Sequence, residues 1–400
     1  MFPFLKPPTF FPMYTPLLFL SIFVLCIHGV FGASQVSNVN FLVHEGTKIV
    51  EVHYDLEGDT STVSLAVSGD GGLSFGVSAK SATGDLGDSV ASGSAKQILW
   101  DAGADFPTLD FRQLKLEVRA WDLKHESKFP FVKIPAGTYQ VGNGSGDADI
   151  TDAPVNTVVL DGFYMAVNDT TGDQWTQVRA WAVQNGYTDL AAGASKSGNH
   201  PVQMVTWYDG VKWANAASVK EGRTPCYRVD GVVYQKGKSD GVTCDWSANG
   251  YRLPTEAEWE VAARGGLSGK RFPLGDTLSH AQANYFGFSG YPYDLSGGVN
   301  DYHPEYSKGG VPFTSPVGSF ASNGYGLNDM AGNVWQWCWD LYGPYLGGSN
   351  PRGAATGSHR VVRGGLWYLY AYYARCAQRS FNEPGVADNS YGFRLVRGRL

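Results

Sequence analysis

Apolar and polar residues alternate with a period of two through the first part of the chain after its N-terminal segment. Val50, Val52 and Tyr54 would lie on one face of a strand, with Glu51 and His53 on the other. The same alternation recurs in residues 63–67 and 114–120. Several short strands separated by turns rich in Gly, Ser and Asp are typical of an antiparallel β-sandwich of fibronectin or immunoglobulin type. We predict such a domain over residues 35–122, where we find no catalytic constellation, and interpret it as a spacer or adhesive module.

The pattern changes after a charged, irregular stretch at residues 123–130, which we predict to be a linker. Thr255 and Glu258 have the spacing of a capping box at the start of a helix. Residues 173–185 and 207–217 are two further helix candidates because apolar residues recur there at helical spacing. Elsewhere Gly and aromatic residues dominate without sustained periodicity. Residues 131–400 therefore read as a second domain with little regular secondary structure.

An apolar run near the N-terminus bears on where the protein is located. Residues 17–27 (LLFLSIFVLCI) are apolar, and small residues follow at Gly29, Gly32 and Ala33. A run of about eleven residues is short for a bilayer span, which needs about 20, and the small residues suit signal-peptidase cleavage. We predict a signal peptide over residues 1–33, and a secreted, periplasmic or cell-surface protein that keeps no stable membrane span. A buried strand or an uncleaved anchor is the alternative.

The amino-acid composition and net charge bear on the fold and on nucleic-acid binding. The chain has 51 glycines and 14% aromatic residues, which favours a loop-rich fold over a helical bundle. Its formal net charge is −6, and no run of basic residues is present. Because nucleic-acid binding depends on a basic surface, we exclude nucleic acid as a partner.

Four cysteines remain after the predicted signal peptide. An even number in an exported chain favours disulfides. Cys226 and Cys244 flank a glycine-rich, hairpin-like insert, so we predict that they pair with each other. Closing such a loop contributes about 3 kcal/mol in the chain-entropy model. Cys338 and Cys376 are then the remaining pair, and two buried free thiols are the alternative for them.

A series of motifs appears in fixed order through residues 131–400. They read FVKIPAGTYQVG (131–142), PVQMVTW (201–207), YRLPTEAEWE (251–260), GYGLNDMAGNVWQW (324–337), RGGLWY (363–368), RCAQRS (375–380) and YGFRLVR (391–397). Together they resemble the formylglycine-generating, or sulfatase-modifying factor, family. The resemblance implies an α+β class, with an irregular C-type-lectin-like domain that here follows the all-β sandwich.

The family's oxidase, by the same resemblance, uses two neighbouring thiols that hold copper, since soft thiolates favour Cu(I). Those thiols lie between the GG and RCA motifs, and residues 366–374 of this chain contain no cysteine. Cys376 matches a structural cysteine of the family whose usual partner position is Ala263 here, so Cys338 is the predicted replacement partner. We expect no cysteine-oxidising chemistry and no copper.

The resemblance also implies calcium. Its ligands would be Asp329, Gly332, Val334 and Gln336, where the carbonyl and side-chain oxygens of a short loop suit Ca²⁺. Gln336 replaces a family Glu, which keeps an oxygen but removes a charge, and a metal-free glycine turn is the alternative. A second calcium would use Asn284 and the carbonyl of Tyr285, but no later carboxylate completes that site near residues 309–311.

Other members of the wider family bind iron through clustered histidines. The histidines of the mature chain are not spaced three to five apart, so we expect no iron site. They are His44, His53, His125, His200, His280, His303 and His359.

Aromatic residues occupy the place of the oxidase groove. Tyrosine and tryptophan give a large contact area at a small entropic cost, which favours a binding role over core packing. Arg379 and Asn382 match family residues near the groove and would anchor a polar group of the ligand. The predicted groove comprises Trp367, Tyr368, Tyr370, Tyr372, Arg379 and Asn382.

Two functions remain open from the sequence. The first is a calcium-stabilised binding or cell-surface module for an unknown protein, peptide or glycan. The alternative is a metal-dependent oxidase or protein-modifying enzyme that uses residues other than thiols. The missing thiol pair and the unclustered histidines favour the first.

Overall fold

The computed structural model describes residues 35–44, 46–58, 60–69, 71, 79–122, 129–297 and 300–398. The predicted signal peptide, residues 1–33, and residues 123–128 of the predicted linker lie outside this part of the chain. Each of the two regions that we predicted to be folded has its own buried core.

Residues 35–122 form the predicted all-β sandwich. One sheet has the strand order β1-β2-β6-β4 and the other β5-β3-β7, and every pairing is antiparallel. The strands are β1 Gln35–Val43, β2 Ile49–Glu57, β3 Ser61–Ser68, β4 Thr83–Gly84, β5 Gly87–Val90, β6 Gly93–Asp101 and β7 Lys115–Asp122, with the short helix α1 at Ala102–Asp105 and a 3-10 turn at Phe111–Gln113.

The core of the sandwich confirms the alternation in the sequence. Val50, Val52, Tyr54 and Leu56 of β2 are all buried and meet residues of β3, β6 and β7. Trp100 of β6 is fully buried, and its indole N–H donates to the Asp105 carboxylate over 2.9 Å. Apolar residues at every second position therefore decide which face of each strand is covered.

The rest of the described chain contains four small sheets and three α-helices, joined by long irregular segments. The sheet orders are β15-β21-β11-β8, β17-β10-β9, β13-β12-β14 and β19-β18-β16-β20. The strands are β8 Phe131–Ile134, β9 Gly137–Val141, β10 Asn156–Leu160, β11 Phe163–Ala166, β12 Tyr227–Val229, β13 Val232–Val233, β14 Thr243–Cys244, β15 Tyr251–Arg252, β16 Trp335–Leu341, β17 Gly348–Ser349, β18 Arg360–Arg363, β19 Ser380–Asn382, β20 Tyr391–Gly392 and β21 Val396–Arg397. A 3-10 turn covers Ala371–Ala374.

The three helices begin in the same way. They are α2 Gly172–Ala182, α3 Trp207–Lys220 and α4 Glu256–Arg264, and each has a threonine cap that forms a complete capping box. The predicted α4 cap, Thr255 with Glu258, is confirmed. Helix α2 ends earlier than its periodicity predicts, because the chain turns back at Gly186 and the Tyr187 N–H donates to the Ala182 carbonyl.

Buried tryptophans and buried charges share the core of this domain. Trp335 and Trp337 of β16 are both buried. Glu260 of α4 is fully buried and accepts hydrogen bonds from Arg264 and Arg363. These contacts join α4 to β18 and fix the strand that leads into the predicted groove.

Candidate functional site

Two consecutive glycines direct the chain out of β18. Gly364 and Gly365 have φ angles of 98° and 77°, a conformation that favours glycine. A Cβ atom on Gly365 would lie 3.1 Å from the backbone of Tyr373 and Ala374, so the segment folds back closely on its own start. This folded segment, residues 366–374, stands where the sequence predicts the groove, and it carries no thiol.

The predicted groove residues of this segment divide into buried and exposed ones. Trp367 is buried, and its indole N–H donates to the Asn389 carbonyl over 3.3 Å. Tyr368 and Tyr370 are each 37% exposed. The Tyr368 hydroxyl lies 2.8 Å from the Ser390 hydroxyl. Trp367 therefore supports the segment, whereas the tyrosines are available to a partner.

Tyr370 and Tyr372 join aromatic residues from a second segment. The Tyr370 ring centroid lies 4.8 Å from that of Phe288, 5.7 Å from Phe286 and 6.2 Å from Tyr291. Tyr372 lies 6.0 Å from Tyr291. We call these five residues the aromatic surface. The sequence prediction missed its Phe286, Phe288 and Tyr291, because only folding brings residues 286–291 beside residues 370–372.

A nearly neutral cluster of ions lies beside the aromatic surface. Arg375 is 1% exposed, bonds Asp147 and Asp149, and has its guanidinium 4.2 Å from the Tyr372 ring centroid. Arg271 also bonds Asp147 and holds the pKa of that carboxyl below its usual range. Two arginines thus balance two aspartates, so the cluster supports the tyrosines without giving the surface a net charge.

Arg379 and Asn382 contact other parts of the domain, and their role as ligand anchors stays a prediction from the resemblance. The Arg379 guanidinium is buried and bonds both oxygens of Glu256 over 2.8 Å as well as the carbonyls of Asp152 and Gly343. The Asn382 amide donates to the Tyr391 hydroxyl over 2.6 Å. Most of the Arg379 N–H groups are therefore committed to the protein, and one N–H of the Asn382 amide is bonded to Tyr391.

Residues 329–334, which we call the metal turn, contain three of the four predicted ligands of the first calcium. Asp329 adopts a left-handed φ of 54°, and Gly318 donates its N–H to Asp329 Oδ2 over 2.7 Å. The other oxygen, Oδ1, is buried and has no hydrogen-bond partner among the described residues. Burial raises the pKa of Asp329, since an ionised carboxylate is poorly solvated there.

Asp169 is a second buried carboxylate at this place, which the sequence prediction missed. It precedes the Thr171 cap of α2, is 1% exposed, and neither of its oxygens has a hydrogen-bond partner within the described chain. Burial raises its pKa to about 8, with a further rise from the charge of Asp329. Arg394 is the nearby cation, 3.6 Å from Asp169 Oδ1. Two buried acids with three unsatisfied oxygens and one arginine fit a bound cation.

Gln336 is placed differently from the prediction. Its side-chain oxygen accepts from the Trp259 indole over 2.7 Å and from Arg394 Nε over 3.2 Å, and its amide donates to the Asp329 carbonyl over 3.0 Å. The amide group therefore braces the turn through hydrogen bonds. The unsatisfied carboxylate oxygens at this place belong to Asp169 and Asp329, and the predicted backbone ligands Gly332 and Val334 follow Asp329 on the same turn.

The metal turn holds the start of the groove segment. The Gly332 N–H donates to the Gly364 carbonyl over 2.7 Å, and the Trp367 N–H donates to the Asn333 carbonyl over 3.0 Å. A Cβ atom on Gly332 would lie 2.3 Å from the Asn284 carbonyl oxygen, so only glycine permits this approach. Through these hydrogen bonds, a rigid metal turn also restricts the positions of residues 364–367.

The two residues of the predicted second calcium site form hydrogen bonds within the protein. The Asn284 amide donates to the Phe313 carbonyl over 2.8 Å, and His280 Nε2 lies 3.1 Å from the Tyr285 carbonyl oxygen. The second site stays a prediction from the resemblance.

All four described cysteines are thiols, so the structure does not contain the predicted disulfides. Cys226 and Cys244 are neighbours, and the Cys226 thiol is one of the groups that raise the pKa of Cys244, after burial. Cys338 lies near Asp340 and Glu256, whereas Cys376 lies near Arg264 and Glu260. Burial raises the pKa of Cys376 to about 12.

The described residues show two further features that bear on the site. No helix in this part of the chain is long and apolar enough to cross a bilayer. Nor do the described residues include a group of three or more His, Cys, Asp or Glu side chains placed to hold a metal. The candidate calcium site has two carboxylates and would depend on backbone oxygens as well.

Known proteins share this domain. The model of the sulfatase-modifying factor enzyme 1-like domain matches residues 122–399. The formylglycine-generating enzyme of Mus musculus is 31% identical over 292 residues, which cover 67% of this chain and 75% of the mouse protein. The serine/threonine-protein kinase pkn1 of Chlamydia caviae is 30% identical over 291 residues, covering 71% of this chain but only 40% of pkn1.

Among solved structures, Treponema denticola variable protein 1 is similar, with a TM-score of 0.53 and 30% identity over 68% of this chain and 95% of that one. The family model matches well over half of the 400 residues. The chain therefore belongs to the sulfatase-modifying factor, or formylglycine-generating enzyme-like, family.

Proposed function

We propose that this protein is an exported, calcium-stabilised binding module that recognises a polypeptide through its aromatic surface and does not generate formylglycine. The observation that carries the proposal is the replacement of the thiol-bearing groove by Tyr370 and Tyr372, which lie against Phe286, Phe288 and Tyr291. The apolar run at residues 17–27 supports export.

The cysteines that remain do not replace the missing pair. Cys338 and Cys376 are fully buried, and burial raises the pKa of both thiols, which disfavours the thiolate that copper ligation and nucleophilic chemistry need. Cys226 and Cys244 lie at the β12–β14 pairing, away in sequence from residues 366–374. None of the four therefore supplies two adjacent, reactive sulfurs at the groove.

The geometry of the aromatic surface supports a polypeptide as the ligand. Its rings meet at mixed angles, from 72° between Phe286 and Tyr370 to 35° between Phe288 and Tyr370 and 30° between Tyr291 and Tyr372. Edges and hydroxyls are thereby presented in several directions, which suits side chains that insert between them better than a flat sugar face. Exposed tyrosines such as Tyr370 are common anchors in protein interfaces.

Calcium supports the surface indirectly. A cation held by Asp169 and Asp329 would neutralise buried negative charge and fix the metal turn. Because Gly332 and Asn333 hydrogen-bond to Gly364 and Trp367, a fixed metal turn also fixes the base of the groove segment. The ion's contribution is to order the binding surface.

A selection experiment tests this function. A displayed peptide library is selected on the calcium-loaded protein, and the affinity of recovered peptides is measured for the wild type and for a Tyr370→Ala/Tyr372→Ala variant. We expect a loss of roughly thirtyfold, equivalent to about 2 kcal/mol for such anchors. Phe381→Ala removes another exposed aromatic ring, 45% exposed and near Tyr342, and should leave affinity unchanged. Equal binding to all three proteins would contradict the proposal.

A further inference from the structure

His303 is held in its neutral form by two hydrogen bonds. Its Nε2 lies 2.7 Å from the His280 carbonyl oxygen and must donate to it. The Glu305 backbone N–H donates to its Nδ1 over 3.3 Å, so this nitrogen must carry a lone pair. The side chain is 6% exposed. A proton on Nδ1 would point at the Glu305 N–H, so the hydrogen bond between Glu305 and Nδ1 would be lost.

This histidine ties together two segments that flank one wall of the aromatic surface. The chain from His280 leads to Phe286, whose N–H donates to the Leu369 carbonyl over 3.0 Å. The Gly287 N–H donates to the Asp301 carbonyl over 2.8 Å, two residues before His303. The ring of Tyr302 lies 4.9 Å from that of Phe286. The hydrogen bond between His303 and His280 thus closes the base of the segment that carries Phe286, Phe288 and Tyr291.

We propose that His303 is a pH-sensitive latch: its neutral ring holds the segment that bears Phe286, Phe288 and Tyr291 in place, and gain of a proton releases it. Acidification then disassembles one wall of the aromatic surface while residues 366–374 remain folded. This inference rests on the proposed function for its biological consequence, but the latch itself is a property of the chain alone.

The surroundings of His303 favour its neutral form. The His280 ring lies 4.9 Å away, the Tyr306 ring 4.6 Å and the Phe320 ring 5.7 Å. Burial lowers the pKa of His303, and the backbone bond to His280 and the charge of Glu305 oppose this only in part. Lys196 lies nearby in the fold and donates its ammonium to the Tyr306 carbonyl over 3.1 Å.

The sign of the pH effect follows from this direction. In the released state the ring is solvated and takes up a proton at its ordinary pKa of 6.5, whereas in the closed state the pKa lies lower. The latch is therefore fully effective above pH 6.5 and weakens as pH falls from there through the lowered pKa of the closed state.

Hydrogen exchange of the full chain tests the latch without any ligand. Exchange of residues 286–297, corrected for the intrinsic effect of pH, should accelerate about tenfold between pH 7.5 and pH 5 in the wild type. His303→Gln keeps an amide donor and an oxygen acceptor but cannot titrate, so its exchange should stay slow at both pH values. His303→Ala should exchange rapidly at both. His53→Gln, in the sandwich domain, is the matched control and should behave as the wild type.

Two results would overturn the latch: wild-type exchange that does not change with pH, or a His303→Gln variant with the full acceleration. If the variants fail to fold, NMR titration of His303 in the wild type decides, and a pKa at or above 6.5 rejects the proposal. Neither result affects peptide binding by Tyr370 and Tyr372 at neutral pH, so failure of the latch and failure of the proposed function are distinct.

Discussion

Asp169 and Asp329 lie far apart in the sequence, yet the charge of Asp329 raises the pKa of Asp169 inside the folded domain. Both side chains are buried, and between them three oxygens have no donor among the described residues. Arg394 approaches Asp169 but does not satisfy it, since its hydrogen bonds go to Gln336 and to backbone carbonyls. This imbalance is what a bound cation would relieve.

Calcium should therefore stabilise the protein measurably. At a calcium concentration one hundred times its Kd, the expected gain is about 2.7 kcal/mol in the free energy of unfolding. Thermal unfolding with and without a chelator would show it as a rise of several degrees in Tm. Asp169→Asn should reduce the shift, whereas Asp230→Asn, at an exposed turn, should preserve it. An identical calcium-dependent rise in Tm in both variants would show that Asp169 is not a calcium ligand.

The buried ion cluster around Glu260 predicts a large loss of stability on mutation. Glu260→Ala leaves Arg264 and Arg363 buried with their main acceptor removed, and breaking such a cluster costs about 3–5 kcal/mol. Denaturant unfolding would measure this change. Arg112→Ala breaks the exposed contact with Asp110 and should have no measurable effect. A small effect of Glu260→Ala would mean that water enters the cluster.

Much of the fold follows from local sequence signals. The alternation at residues 50–56 places β2 correctly because one face of the strand must be covered. Thr255 and Glu258 mark the start of α4 because their mutual hydrogen bonds depend only on residues three apart. The motifs identify the family domain in a similar way, because each is a short local pattern that can be recognised without knowledge of the fold.

The candidate site depends on contacts that no local pattern contains. Arg379 resembles a groove residue by position, but its partner Glu256 is 123 residues away and holds it in the core. Asp169 carries no periodic or motif signal, and its role emerges only beside Asp329. Phe288 and Tyr291 likewise gain significance only when they meet Tyr370.

The cysteines give a further prediction. Because the Cys226 and Cys244 thiols are neighbours and Cys244 is partly exposed, mild oxidation should join them, whereas Cys338 and Cys376, both buried, should stay reduced. Peptide mapping under non-reducing conditions would identify the linkage. The bond should add about 3 kcal/mol by restricting the unfolded chain, and Cys226→Ser should abolish that gain. A Cys338–Cys376 link instead would show that the family's structural disulfide has been rewired as the sequence predicts.

A direct assay tests whether residues 366–374 support the oxidase chemistry of the family. The purified protein, supplied with copper, a reductant and oxygen, is incubated with a cysteine-containing peptide, and the product is analysed by mass spectrometry beside a family enzyme that has both thiols. We predict no aldehyde above the level of the protein-free control, because residues 366–374 provide no sulfur. Conversion of the peptide cysteine to formylglycine by this chain would contradict the account.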